Sequence, residues 1–416
     1  MREESRQLRR SGPGAFRSLR NRNYRLWAAG AFVSNVGTWT QRTAQDWLVL
    51  TRLTHENGAA VGIVMALQFG PQLLLLPLTG LAADHLDRRK LLFVTQAAMG
   101  SLALGLGLLT VFGAVELWHV YAFAFLLGCV SAFDAPARQT FVAELVGSDD
   151  LSNAVALNSA SFQAARMIGP AVAGLGIAAF GSGWLFILNG GSFAAVIVAL
   201  ALLRGGELHR TARAVLTRAS LPEGLLYVWH RRDLRVVLAM LFVVATFGLN
   251  FPIFISTMAV SVFHLAAHEY GLLSSLMAIG SVSGALLSAR RAQPRLSLLV
   301  GGAALFGVGC AAAAMMPSYR LFGATLVVIG IASQTFMTTA NSIVQLSTEA
   351  AMRGRVMAIY LAIALGSTPL GAPIVGWVAD AFGPRWALVI GAVAGVVAAF
   401  VGARFLWKAQ GRHGEP

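Results

Sequence analysis

Five ionisable side chains lie inside stretches that are otherwise apolar: Arg42, Asp46, Asp134, Arg138 and Arg166. An unpaired Arg or Asp at the centre of a membrane helix costs about 2.5–3.5 kcal/mol, so such groups persist where they are paired or face water. Arg42–Asp46 and Asp134–Arg138 are each four residues apart, which puts acid and base on one helical face and leaves Arg166 to find a partner on a neighbour. The chemistry open to these groups is exchange. A carboxylate that trades an Arg partner for a proton or a solute changes its proton affinity when the pair breaks. The plainer reading, that the pairs lock helices together, stays open. Enzymatic chemistry has little support: there is no HExxH helix and no nucleophile in a recognisable Ser or Cys motif. A Gly-x-x-x-x-Gly-Lys-(Ser/Thr) loop is also missing, which argues against ATP drive. Cys129 and Cys310 sit in apolar segments and the eight His show no ligand spacing, so no catalytic or metal-ligating set is expected.

The elements that must hold these charges are membrane spans. Hydrophobic residues make up 56% of the 416-residue chain and charged ones only 12%, about half the usual share for a soluble protein. Apolar windows predict twelve spans near 26–50, 60–82, 91–113, 118–141, 153–179, 184–203, 236–260, 269–289, 296–316, 320–344, 355–380 and 385–406. About 24 polar, Arg-rich residues precede the first span, which is too long for a signal-peptide core and is expected to be retained. The net charge of +14 does not imply nucleic acid, because the basic residues occupy short breaks between spans. Of the 32 Lys and Arg, 27 fall on the side of the N-terminus and three on the other, which predicts cytoplasmic termini. The expected organisation is a cytoplasmic segment (1–25), a six-helix bundle (26–203), a cytoplasmic linker (204–235), a second six-helix bundle (236–406) and a cytoplasmic tail (407–416).

The two bundles read as a duplication. Residues 128–184 laid on 330–386, an offset of 202, give 11 identities in 57 positions without a gap. Among them are Gly128/Gly330, Gly169/Gly371, Gly174/Gly376, Phe180/Phe382, Gly181/Gly383 and Trp184/Trp386. Parallel repeats of this kind are a transporter architecture. Spans 6, 9 and 12 are almost purely apolar and span 3 carries no charge, so these four are expected to face lipid. Spans 1, 4, 5, 7 and 10 carry polar stripes that predict a shared aqueous cavity at the centre. Its expected polar lining, beside the five charges, is Asn35, Thr38, Gln45, Gln163, Asn250, Gln334, Thr338 and Asn341.

Three motifs carry a resemblance. Gly80-Leu-Ala-Ala-Asp84-His-Leu-Asp87-Arg88-Arg89-Lys90, in the break between spans 2 and 3, resembles the signature loop of the major facilitator superfamily. Gly80, Asp84, Arg88 and Arg89 match, while Asp87 replaces the family's second Gly. The resemblance implies a cytoplasmic gate in which Asp84 faces the start of span 11 near Arg355, where a helix dipole favours a carboxylate. Gly169-Pro170-Ala-Val-Ala173-Gly174 is similar to the core of the superfamily's exporter motif, with Ala173 in place of a Gly. Pro removes an internal hydrogen bond and Gly permits close approach, so simple packing is the other reading of this stretch. The segment from Phe16 to Arg25 and the run from Asp134 to Leu145 resemble the branch that contains bacterial enterobactin exporters and drug efflux proteins.

The reading is an all-α polytopic protein of the bacterial plasma membrane, with twelve transmembrane helices in two pseudo-symmetric bundles and helices 1, 4, 7 and 10 around the cavity. Its expected function is secondary export of a small amphiphilic solute, drug- or siderophore-like, by a monomer in the lipid bilayer. The proton gradient replaces any cofactor. Uptake by the same fold and a non-transporting receptor are the alternatives.

Overall fold

The computed structural model describes residues 16–75, 78–79, 86–209, 221–289, 294–349 and 352–411. Gly80 and Asp84 of the expected gate lie outside these residues, as do most of the N-terminal segment and the middle of the linker.

The described chain is helical. Its long helices are α1 (Arg22–Leu48), α2 (Gly58–Leu74), α3 (Arg88–Val111), α4 (Leu117–Gly147), α5 (Asp150–Phe180) and α6 (Ser182–Leu202). A short linker helix (Leu221–His230) leads to α7 (Arg232–Val262), α8 (Ala267–Ala289), α9 (Leu296–Met315), α10 (Tyr319–Ser347), α11 (Arg353–Phe382) and α12 (Pro384–Gly411). Ten of the described helices, α3 to α12, are long and apolar enough to cross a bilayer. Helix α1 misses that standard through its polar stripe, and α2 through its 17 described residues.

Local chemistry sets the helix ends. Asn21, Asn57, Asp87 and Ser318 each cap a helix by accepting a hydrogen bond from the backbone N–H three residues on. Asp87 is the residue that departs from the signature loop, and its carboxylate accepts from Lys90 N at 3.0 Å. The acid thus starts α3 where the family's glycine would have left a turn. Inside α7, Pro252 cannot donate to the preceding turn, and regular helix stops at Leu249 and Asn250.

Apolar packing arranges these helices in layers. Helix α3 packs on α6 and α9 on α12. Val94, Leu188, Val308 and Phe400 on these four helices are each more than half exposed, as lipid-facing positions must be. The inner contacts follow the sequence repeat. An added side chain at Gly128 would overlap the α2 backbone at Gln68, and one at Gly330 the α8 backbone at Met277. Gly169 lies against Trp39 and Thr40 of α1, and Gly371 against Thr246 of α7. Gly174 meets Gly271 of α8, and Gly376 meets Gly58 of α2. Gly181 (φ 82°) and Gly383 (φ 100°) turn the chain into α6 and α12 in a left-handed conformation that favours glycine. Each repeated glycine thus serves the same helix pair in its own half, or the same junction between halves.

Candidate functional site

The polar face of α1 turns toward the junction of the halves. Trp39, Arg42, Thr43 and Asp46 line a cavity of about 200 Å³ together with Gln68 and Phe69 of α2, Arg166 and Pro170 of α5, Phe251 of α7, Tyr270 and Ser274 of α8, and Thr368 of α11. Thr40 helps to fix α5 beside α1 by donating to Gly169 O at 3.2 Å. The expected Arg42–Asp46 ion pair is not formed, although both line the same cavity. Arg42 instead lies over Trp39 and Phe69, at 5.1 and 5.3 Å from the ring centroids, and its Nε has no hydrogen-bond partner. Arg166 lies over the same Trp39 at 5.4 Å. An aromatic face attracts a desolvated guanidinium, which gives two like charges a common support without a carboxylate.

A second cavity, of about 430 Å³, adjoins the first. It is lined by Gln163, Gln334, Thr338 and Asn341, with Ser333, Met337 and Tyr360. The cavities share Arg166, Leu249, Phe251 and Ser281, so Arg166 stands where they meet. In its wall Gln334 Nε2 donates to Thr338 Oγ1 at 3.2 Å.

The other two charges are elsewhere. Asp134 is buried within the N-terminal half, where Arg138 donates to Oδ2 at 3.1 Å and Thr95 and Gln96 donate to Oδ1 at 2.8 and 2.7 Å. Arg138 also reaches Asn35 Oδ1 at 3.5 Å and lies over Trp27 at 5.8 Å. This network ties α4 to α1 and α3, and α4 contributes no residue to either cavity wall. The expectation of five charges in one chamber around helices 1, 4, 7 and 10 is corrected accordingly. Three charges meet, and helices α2, α8 and α11 join α5 in the walls in place of α4.

Among the expected polar lining, Gln163, Gln334, Thr338 and Asn341 border the second cavity. Asn35 serves the Arg138 network, Thr38 is half-buried outside both walls, and Gln45 is buried. Asn250 is fully buried at the break in α7, where its Nδ2 donates at 2.8 Å to Thr246 O, the carbonyl that its own backbone N–H would reach in an unbroken helix. In the gate loop, Arg88 pairs with Glu144 at the end of α4, and Arg89 donates to Leu200 O of α6 at 2.6 Å. Both therefore bind within their own half. Arg355 pairs with Glu223 of the linker helix at 3.0 Å. Gly169, Pro170 and Gly174 form the edge along which α5 meets α1 and α8, and Pro170 also borders the first cavity.

Sequence reasoning missed the aromatic wall. Trp39 had a usable signal, one turn before Arg42 on the same face, whereas Tyr270 begins an apolar span and had none. Asp380, in the last turn of α11, was missed as well. Its Oδ1 and Oδ2 accept from Gly58 N and Ala59 N at 2.6 and 2.8 Å, capping α2 of the other half. An acid at the end of an apolar span was the signal.

The halves meet at the end remote from the chain termini. Gly58, Gly62 and Ala59 approach Gly376, Ala372 and Asp380, while Gly174 approaches Gly271. Trp47 stacks on Tyr270 at 5.6 Å beyond Asp46. Toward the termini, the glycine-mediated approaches between halves among the described residues end at Gly366 against Leu73 and Gly70 against Pro369. A helical bundle divided by polar cavities between two repeated halves defines a membrane transporter of the major facilitator class.

Solved structures agree on the fold. A bacterial homolog of the human lysosomal transporter Spinster, in an inward-facing and occupied conformation, superposes with a TM-score of 0.74 over 94% of this chain and 98% of its own, at 14% identity. A D-xylose–proton symporter gives 0.71 over 90% and 96%, at 13% identity. The chain belongs to the transmembrane secretion effector family, whose model matches residues 13–412. It is 28% identical to the multidrug efflux pump Tap of Mycolicibacterium fortuitum over 85% of this chain and 88% of that one. It is 26% identical to the staphyloferrin A transporter of Staphylococcus aureus (85% and 89%), and 24% to the enterobactin exporter EntS of Shigella flexneri (78% and 77%). The protein is a multi-span transporter of the bacterial cell membrane and not an enzyme.

Proposed function

We propose that this protein exports a small amphiphilic molecule by proton-coupled alternating access. The observation that carries the reading is the pair of joined cavities at the junction of the halves, with Arg42, Asp46 and Arg166 in the wall of the first. Twelve spans in two bundles, residues 26–203 and 236–406, joined by a cytoplasmic linker, are supported by the ten long apolar helices among the described residues and by the repeat of glycine contacts. The basic end is the cytoplasmic one by the charge split between loops. The sealed remote end is then external, and the conformation is open inward. One chain holds both halves and the whole cavity, which supports a monomer as the working unit. Relatives named for drug efflux and for two siderophores favour a solute with both polar and apolar parts, and a wall of aromatic and guanidinium groups suits such a molecule.

Asp46 is the carboxylate of the cavity wall among the described residues. In the proposed cycle it takes a proton when the cavity faces outward and releases it when the cavity faces the cytoplasm. Solvent entry and the position of Arg42 change how firmly it holds that proton. The test is flux in proteoliposomes with an imposed pH gradient, using a fluorescent drug substrate and ferric-free siderophores as probes. Solute movement opposite to the proton, lost in Asp46→Asn, is the expected result. Movement with the proton establishes uptake instead, and binding without flux in any gradient establishes a receptor.

A further inference from the structure

At the end that bears the termini, on the outer surface and away from both transport cavities, the start of α7 and the last turns of α12 bound a wide groove. Its rim carries His230, Arg232, Arg235 and Lys408, and its floor is Val236, Ala239, Val401 and Phe405. Asp233 also lies there, but Arg231 holds it with two hydrogen bonds of 3.0 and 2.7 Å, so it does not neutralise the rim. Among the described residues no carboxylate pairs with Arg232, Arg235 or Lys408. Trp229 and Trp407 are exposed on either side, and Arg235 lies over Trp229 at 5.5 Å. Exposed Trp side chains mark the level of the lipid headgroups.

We propose that this groove binds an anionic phospholipid, its phosphate on the basic rim and the upper part of an acyl chain along the floor. The rim supplies charge complementarity of the kind that attracts anionic headgroups at juxtamembrane sites. The apolar floor favours a lipid over free phosphate, which needs the rim alone. Placing that lipid in the cytoplasmic leaflet rests on the orientation proposed above; the binding itself does not.

The test uses the purified full-length protein in mild detergent, with bound lipid counted by native mass spectrometry and thermal stability followed on adding lipid. Cardiolipin and phosphatidylglycerol are compared with phosphatidylcholine and with inorganic phosphate. Wild type is expected to retain the anionic lipids selectively and to gain thermal stability from them. Removing three charges in Arg232→Gln/Arg235→Gln/Lys408→Gln is expected to weaken retention on the order of a hundredfold, at about a factor of five per basic group. Ala239→Trp, which keeps every charge but fills the floor, is expected to lose the lipid too, and Asp46→Asn to keep it. If the triple variant fails to fold, Arg235→Gln and Ala239→Trp carry the test. Unchanged retention in these variants, or protection by inorganic phosphate equal to that by lipid, overturns the proposal.

Discussion

Asp46 and Asp134 are both buried carboxylates of the N-terminal half, yet they are held very differently. Asp134 has an Arg and two neutral donors on its oxygens, while Asp46 faces a cavity with no ion pair. Breaking a buried pair by removing one partner costs about 3–5 kcal/mol, because the other charge stays behind. Asp134→Ala is therefore expected to lower the melting temperature markedly, and Asp46→Asn to leave it within a few degrees while abolishing flux driven by a pH gradient. Thermal unfolding and proteoliposome flux on both variants check the contrast. An equal loss of stability would refute it. In the second half Phe336 and Ala340, both fully buried, stand at the positions equivalent to Asp134 and Arg138. The fold thus accepts apolar packing at that site, as expected of a structural network. The i,i+4 spacing revealed that each pair shares a helical face. Which face met the cavity depends on contacts between helices far apart in sequence, and no spacing rule carries that.

At the scale of the element, glycine positions were legible early and the break in α7 was not. The repeat marked Gly169, Gly174, Gly371 and Gly376 as special, and each proved to be a place where two helices touch through backbone. A side chain there must push the helices apart. Gly371→Val, against the carbonyl of Thr246, is expected to destabilise the protein by more than about 2 kcal/mol, as overpacking and helix displacement combine. Gly301, on the open face of α9 with nothing near it, is the control: Gly301→Ala is expected to be neutral or slightly stabilising. Melting temperatures of the two variants decide it. Asn250 illustrates the opposite case. Its polarity in an apolar span read as cavity lining, whereas at the break before Pro252 the side chain takes the Thr246 carbonyl that its own backbone N–H would bond in a regular helix. Asn250 and Pro252 were both in the sequence, and only coordinates show that the helix breaks there and that the amide bonds its own backbone.

For the whole molecule, span positions and the charge split between loops were readable because hydropathy and topology are local properties of the chain. The sealed end remote from the termini was not, since it is built from α2 against α11 and α5 against α8, where Gly58 meets Asp380 322 residues away and Gly174 meets Gly271. Transport in the proposed cycle requires that end to part. Cysteines at Gly58 and Thr257, where a side chain added to Gly58 would lie 3.2 Å from the Thr257 methyl of α7, in a Cys129→Ala/Cys310→Ala background, are expected to form a reducible crosslink that stops flux, with activity returning on reduction. Flux that persists through complete crosslinking would show that the halves need not separate there.

The carboxylate of Asp380 on the first turn of α2 gives this separation a fixed toll. Two backbone donors and a helix dipole are satisfied by an acid from the opposite half, and each parting of that end in the proposed cycle strips them of it. Caps of this type stabilise by about 0.5–2 kcal/mol, enough to alter a two-state ratio by roughly twofold to thirtyfold. One side chain outside the solute path therefore tilts the resting population of the carrier, and evolution can retune how often the door stands open without altering what passes through it.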